Sequence, residues 1–167
     1  SPSRGLGDVY KRQTSYRFSQ NLAKLPHSIK MTHTELPEYN DELLDYLQLF
    51  RGEGFLSPGG AEETRRVLDR VEIAGKDVLE VGSGLGGCCL IIASVHDAKC
   101  VHGFDVAALV INRGKELVFQ AGLENRISFQ QVEPGPLPVA SNSFDIIFSK
   151  DAFCHSEDKQ MLYSELV

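Results

Sequence analysis

The run Glu80-Val81-Gly82-Ser83-Gly84-Leu85-Gly86-Gly87 carries the most specific chemistry in the chain. Glycines let a chain turn tightly and bring its backbone against a ligand, and a helix following the turn offers unpaired N–H groups to a carboxylate or phosphate. Gly82, Gly84 and Gly87 satisfy the dinucleotide pattern G-x-G-x-x-G, so the glycines alone leave NAD open. Two carboxylates narrow the choice. Glu80 stands two residues before the first glycine, where it can serve a ligand ammonium directly or through water; a pyrophosphate gains nothing from negative charge there. The competing reading of Glu80 is a solvated charge at a strand end. Asp105 closes a second apolar run about 20 residues after the first glycine, the place from which a carboxylate accepts both ribose hydroxyls. It suits either cofactor.

Other reactive side chains offer less. Cys88, Cys89, Cys100 and Cys154 show no C-x-x-C spacing, and three of them lie in apolar segments. They read as reduced thiols acting as small hydrophobes, and no metal site is expected. Cys154 beside His155 invites a nucleophile reading, but adjacent positions seldom face each other and no third orienting group accompanies them. His27, His33, His96 and His102 have no constellation around them and read as structural or solvated.

These residues need a scaffold that gathers them, and the pattern supplies one. Asn40 caps a helix over 41–50 with Asp41 and Glu42 in its first turn. Gly52, Gly54, Pro58, Gly59 and Gly60 mark a loop. A second helix is expected over about 61–73, with Ala61, Val67, Leu68 and Val71 on one side. Strand and helix then alternate: strands at 77–81, 100–104, 127–132 and 144–149, helices near 86–96 and 107–121. This is an α/β chain with right-handed crossovers, a parallel sheet and helices on both faces. In such sheets ligands bind at the carboxyl ends of the strands. Glu80 and Asp105 both lie there.

The chain has 167 residues, enough for one domain, and its 42% hydrophobic and 24% charged residues are those of a soluble globular protein. No run of about 18 apolar residues occurs, so no stable membrane insertion is expected. The N-terminal stretch lacks the apolar centre of a signal peptide, and the expected compartment is the cytoplasm. The formal charge of −6 argues against a nucleic-acid partner. Residues 1–30 carry six of the 17 basic side chains and one of the 23 acidic ones, which leaves −11 on residues 31–167. An acidic surface suits a small cationic or zwitterionic substrate. Oligomeric state is not legible.

Both ends invite a reading. Asp8-Val9-Tyr10-Lys11-Arg12-Gln13 back-translates as GAT GTG TAT AAG AGA CAG, which looks like a sequencing-library adapter read through in frame. Met31 is the first methionine, so residues 1–13 are expected to be adapter and 14–30 upstream read-through, all disordered. Three parts follow: 1–30 non-native, 31–75 a helical cap, 76–167 the cofactor-binding half of a domain. The segment from Ser156 opens a helix in which Met161, Leu162, Leu166 and Val167 begin a face with no cap after it, so C-terminal truncation is expected.

With the turn at 80–86, Asp105 and Asn142-Ser143-Phe144-Asp145-Ile146-Ile147 in this order and spacing, residues 38–167 resemble the class I S-adenosylmethionine-dependent methyltransferases, whose fold is Rossmann-like. Phe50-Arg51-Gly52-Glu53-Gly54-Phe55-Leu56-Ser57-Pro58-Gly59-Gly60 and Ser149-Lys150-Asp151-Ala152-Phe153-Cys154-His155 are similar to segments of the phosphoethanolamine N-methyltransferase group, which carries Ser-Arg-Asp at the second. Glycine, sarcosine and dimethylglycine methyltransferases carry a similar Asp-Ala-Phe-x-His-Ser. The resemblance implies S-adenosylmethionine as cofactor and a small amine as acceptor. It implies that Gly82 and Gly84 line the methionine moiety, with Ser83 in the same turn. Asp105 would hold the ribose, Val106 pack on adenine and Ser57 help bind the cofactor. Asp151 and His155 would face the amine, His155 taking its proton, with Tyr39 orienting the imidazole. Where the family has Asp and a non-proline residue for adenine, this chain has Glu133-Pro134; Glu133 can accept from the amino group, but Pro134 has no N–H to donate. In the family the acceptor's phosphate is held by residues that would lie beyond Val167. An NAD-dependent oxidoreductase and a catalytically incomplete binding fragment are the alternatives.

Overall fold

In the computed structural model, residues 39–156 and 158–166 are described. The expectation for residues 1–30 therefore lies outside the described residues. Helix α1 (Asp41–Arg51) starts at Asn40, whose side-chain oxygen accepts the Leu43 N–H at 2.9 Å, and ends at Gly52. Helix α2 is Gly60–Leu68. Then come β1 (Asp77–Val81), α3 (Gly87–Ser94), β2 (Cys100–Asp105), α4 (Ala108–Ala121), β3 (Ile127–Gln131) and β4 (Ile146–Phe148). A 3-10 turn at Phe153–His155 precedes α5 (Lys159–Ser164), which Asp158 caps through the Met161 N–H.

The four strands form one parallel sheet in the order β3-β2-β1-β4. From β1 the chain moves outward through α3 to β2 and through α4 to β3, then returns past β1 to add β4 on the other side. The direction reverses between β1 and β4, and that reversal opens a crevice at their carboxyl ends. The glycine turn follows β1 and the Lys150–His155 segment follows β4, so both border it.

Helix α3 is apolar all round, and Gly87 to Ala93 are all buried, as a helix between sheet and neighbour requires. Val78, Cys89, Ile92 and Val101 centre the core, which also takes in Phe55, Leu68 and Ile73. A second cluster joins Leu44 of α1 to Leu85 and Val110. Leu44, Phe55, Leu68 and Ile73, which fall within the expected cap over 31–75, thus pack into these two clusters. Arg113 of α4 bonds Asp41 at 2.7 Å and Asp45 at 2.6 Å, linking α4 to α1.

Two elements differ from expectation. Helix α2 ends at Leu68, not near residue 73, and its buried positions are Gly60, Thr64 and Leu68. Val67 and Val71, expected inside, are exposed, and Ile73 is buried after the helix has ended. The reason is Thr64: its hydroxyl bonds back to the Gly60 carbonyl at 2.9 Å, which lets a polar residue occupy the core stripe. Strand β4 covers three residues of the six expected, and side-chain bonds join it to β1 at both ends. The Asp145 carboxylate accepts the Asp77 N–H at 2.9 Å, and the Ser149 hydroxyl donates to the Val81 carbonyl at 2.8 Å. No helix among the described residues is long and apolar enough to cross a membrane.

Candidate functional site

The turn after β1 is held to β2 by its own backbone. The Gly82 and Ser83 N–H groups both donate to the Phe104 carbonyl, at 2.8 and 2.9 Å. Gly82 has φ 78°, a left-handed conformation natural to glycine, and a Cβ there would meet the Ala152 methyl. The missing side chain is what lets the segment after β4 lie directly on the turn. Beneath it, the Phe129 ring of β3 fills the space left by the absent side chains of Gly86 and Gly103.

Asp105 ends β2 and divides its carboxylate between two backbone donors. One oxygen accepts the Gly84 N–H at 2.8 Å and the other the Ala107 N–H at 3.0 Å. Each carboxylate oxygen has a second lone pair, so a half-buried Asp105 can still accept from a diol. Val106 follows it, 53% exposed, an apolar face available to a flat ring, with its carbonyl held by the Gln131 side chain at 3.0 Å. Glu133 is exposed one strand further out, in the loop after β3. Gly82, Gly84, Asp105 and Val106 therefore come together at the ends of β1 and β2.

Ser83 lies in the turn as expected, while Glu80 is placed differently from the expectation. Ser83 is buried with its Cβ against the Gly103 position, and its hydroxyl has no partner among the described residues. Its backbone bonds Phe104 and Gly86, so it shapes the turn. Glu80 is neither solvated nor turned toward the turn. It is 2% exposed and points into α3, where the Cys89 thiol donates to Oε2 at 2.8 Å. The neighbouring Cys88 thiol meets the Thr64 hydroxyl at 3.4 Å. Burial pushes the Glu80 carboxyl up to about 7, with the Asp105 charge adding and the thiol hydrogen bonds opposing. Burial beside Glu80 pushes both thiols up as well, which keeps them protonated donors. Cys88 and Cys89 are buried free thiols, as expected, but the Cys89 S–H also satisfies a carboxylate that an apolar neighbour would have left unpaired.

Opposite the turn, Lys150 joins four groups. Its ammonium donates to the Ser57 hydroxyl at 2.9 Å, the Pro58 carbonyl at 2.7 Å and the Asp151 carboxylate at 2.8 Å, and lies 3.5 Å from Glu63 of α2. Its side chain is only 10% exposed. The hydrogen bond from Lys150 is the main reason the Asp151 carboxyl is held below the usual carboxylate range; burial opposes it, and Ser57 and Arg51 add to it. Asp151 itself has φ 59°, which Asp tolerates better than most residues. His155 is exposed at the end of the 3-10 turn, and no hydrogen bond joins its side chain to Asp151 or Tyr39. Tyr39 is 39% exposed; burial is the first cause of its raised pKa, with Asp105 adding and Arg51 opposing. The Cys154 thiol donates to the Asp151 carbonyl at 3.2 Å.

Lys150 is the residue that sequence reasoning left out. The signal was present, since a lysine stands where the resembled group has arginine, but a surface charge next to Asp151 reads as solvated until the Ser57 loop is seen beside it. Among the described residues no group of three or more His, Cys, Asp or Glu is placed to hold a metal.

Residues 73–167 match the family model described as a methyltransferase domain. The chain is 34% identical over 137 residues to the phosphoethanolamine N-methyltransferase of Plasmodium falciparum, covering 80% of this chain and 50% of that relative. Among solved structures it is similar to the Haemonchus contortus phosphoethanolamine N-methyltransferase 2 in complex with S-adenosyl-L-methionine. That match has a TM-score of 0.71 and 26% identity, over 84% of this chain and 33% of the other. The same enzyme with phosphomonomethylethanolamine and S-adenosylhomocysteine matches at TM-score 0.63 and 27% identity, over 74% and 31%. The chain thus spans half or less of the length of these relatives.

Proposed function

The chain belongs to the methyltransferase-domain family, with the parallel sheet of its class I members, and from that premise we propose that it serves methyl transfer from S-adenosylmethionine to the nitrogen of a small amine. The observation that carries the reading is the pairing of Asp105 with Gly84 at the end of β2, opposite an ionised Asp151 at the end of β4. One carboxylate suits a ribose, the other an ammonium.

The residues fit the cofactor. Glycine at 82 and 84 lets the turn take its left-handed backbone, with Ala152 packed on Gly82; Asp105 keeps free lone pairs, and Val106 exposes an apolar face. When bound, S-adenosylmethionine supplies a methyl group on a sulfonium already activated for displacement. The protein then needs chiefly to align the reactants and exclude water. Asp151 attracts and orients the ammonium, His155 takes the proton that masks its lone pair, and Tyr39 helps close the site from the Asp105 side. Ser57, fixed by Lys150, lines the crevice from the loop before α2.

A phosphoethanolamine-like or glycine-derived acceptor is supported by the Plasmodium and Haemonchus relatives and by the acidic balance of the chain. The same balance favours a small-molecule partner over nucleic acid, and we assign the cytoplasm as its compartment. Because His155 is exposed without an orienting partner, we expect the 167 residues to bind cofactor and to turn over amine poorly, if at all. Calorimetric titration with S-adenosylhomocysteine, with NADH in parallel, tests the cofactor. Micromolar binding of the first alone supports the reading, and binding of NADH alone overturns it.

A further inference from the structure

We propose that Lys150 is a positioning residue that locks the Ser57–Pro58 loop and the Asp151 carboxylate into one rigid frame across the crevice. The proposal rests on the methyltransferase reading for the identity of the ligands, while the geometry stands without it. Three of the four groups around the ammonium come from elsewhere in the chain: Ser57 and Pro58 from the loop before α2, Glu63 from α2 itself. The fourth, Asp151, is its neighbour, paired at 2.8 Å from a residue with left-handed backbone. Free in water, a lysine ammonium gains little from any one such contact. Here the side chain is 10% exposed and its three hydrogen-bond donors are matched by three acceptors, the full valence of an ammonium. Two carboxylates, Glu63 and Asp151, neutralise it, with Arg51 of α1 the other charge facing Asp151.

Lys150 has no donor left for a ligand, so its effect is indirect. It places Ser57, on the cofactor side, at a fixed separation from Asp151, on the acceptor side. Without it, Asp151 would lose its main hydrogen bond, the Ser57 loop would lose its tether, and two carboxylates would be left near an uncompensated gap. An arginine in its place keeps the charge and the donors but has a planar fork, so it should restore part of the frame.

The test compares wild type, Lys150→Met and Lys150→Arg in the 167-residue chain. The Asp151 side-chain carboxyl is titrated by carbon NMR, and S-adenosylhomocysteine affinity is measured by calorimetry. The frame predicts that Lys150→Met raises the Asp151 titration midpoint toward the ordinary carboxylate range and weakens S-adenosylhomocysteine about ten-fold, because the untethered Ser57 loop must be ordered on binding. Lys150→Arg should recover most of the midpoint and part of the affinity. An unchanged Asp151 midpoint in folded Lys150→Met overturns the proposal, and so does full affinity in that variant. If Lys150→Met does not fold, Lys150→Gln removes the charge while keeping polar contacts, and the same midpoint shift is required of it. Should wild type bind no S-adenosylhomocysteine, the cofactor reading fails, while the Asp151 titration still decides the role of Lys150.

Discussion

Asp105 spends one lone pair on the Gly84 N–H and another on the Ala107 N–H, so it braces the turn while each oxygen keeps a second lone pair. Asp105→Asn presents an amide NH2 to one of those N–H donors, and we expect S-adenosylhomocysteine affinity to fall at least about ten-fold in calorimetry, with Asp105→Ala worse. Glu80 gives a prediction of a different kind. Its carboxyl is raised to about 7 in the fold from 4.5. Below the unfolded value both states are protonated and Glu80 costs nothing. As pH rises through that value the unfolded chain ionises first, so stability declines until the folded carboxyl ionises near 7 and is flat above. Glu80→Gln should abolish this decline, up to about 3 kcal/mol of difference between pH 4 and 8, read from urea midpoints. The two acids were unequally legible in the sequence. An acid closing an apolar run at the end of β2 has one place to go. Glu80 lies one residue short of the end of β1, flanked by Val78, Leu79 and Val81, and a strand apolar on both faces does not say which face that charge takes. Nor does a Cys-Cys pair announce that it will supply the donors.

At the level of elements, the strands of the sheet were readable because apolar runs bounded by glycine and charge leave little choice. The observed β1, β2 and β3 agree with their expected ranges to within a residue. Helix α2 was not, because Thr64 hides its hydroxyl in its own backbone and so behaves as core. Packing under the glycine turn was also beyond reach, since it depends on glycines from three elements meeting one ring. Gly86 before α3, Gly103 in β2 and Gly114 in α4 all face Phe129. A Cβ at Gly103 would come within 2.6 Å of that ring and 2.8 Å of the Ser83 Cβ. We expect Gly103→Ala to cost about 1–3 kcal/mol in urea unfolding and to weaken cofactor binding, since Ser83 must move with the turn. Arg113→Ala should cost no more than about 1 kcal/mol in the same assay, because the Asp41 and Asp45 partners are largely exposed.

Across the whole molecule, the order β3-β2-β1-β4 places the crevice between two strands that are far apart in the chain: Val78 pairs with Ile146, whereas β1, α3, β2, α4 and β3 are consecutive. The parallel sheet was legible from alternation, but its order was not, since the chain gives no local sign that β4 returns past β1. That return has a kinetic consequence. Contacts between neighbours in sequence close short loops and form early, while β4 must close a loop of some sixty residues before any of its bonds reward it. Three strands can therefore assemble as the chain emerges from the ribosome, with the edge of β1 waiting unpaired until Ile146 arrives. Substitutions such as Ile146→Ala should then quicken unfolding and leave the folding rate nearly unchanged in stopped-flow circular dichroism, a suitable probe for a chain with no tryptophan. The crevice that brings Asp105 opposite Asp151 would accordingly be the last part of the described structure to come into being, and the first to be lost.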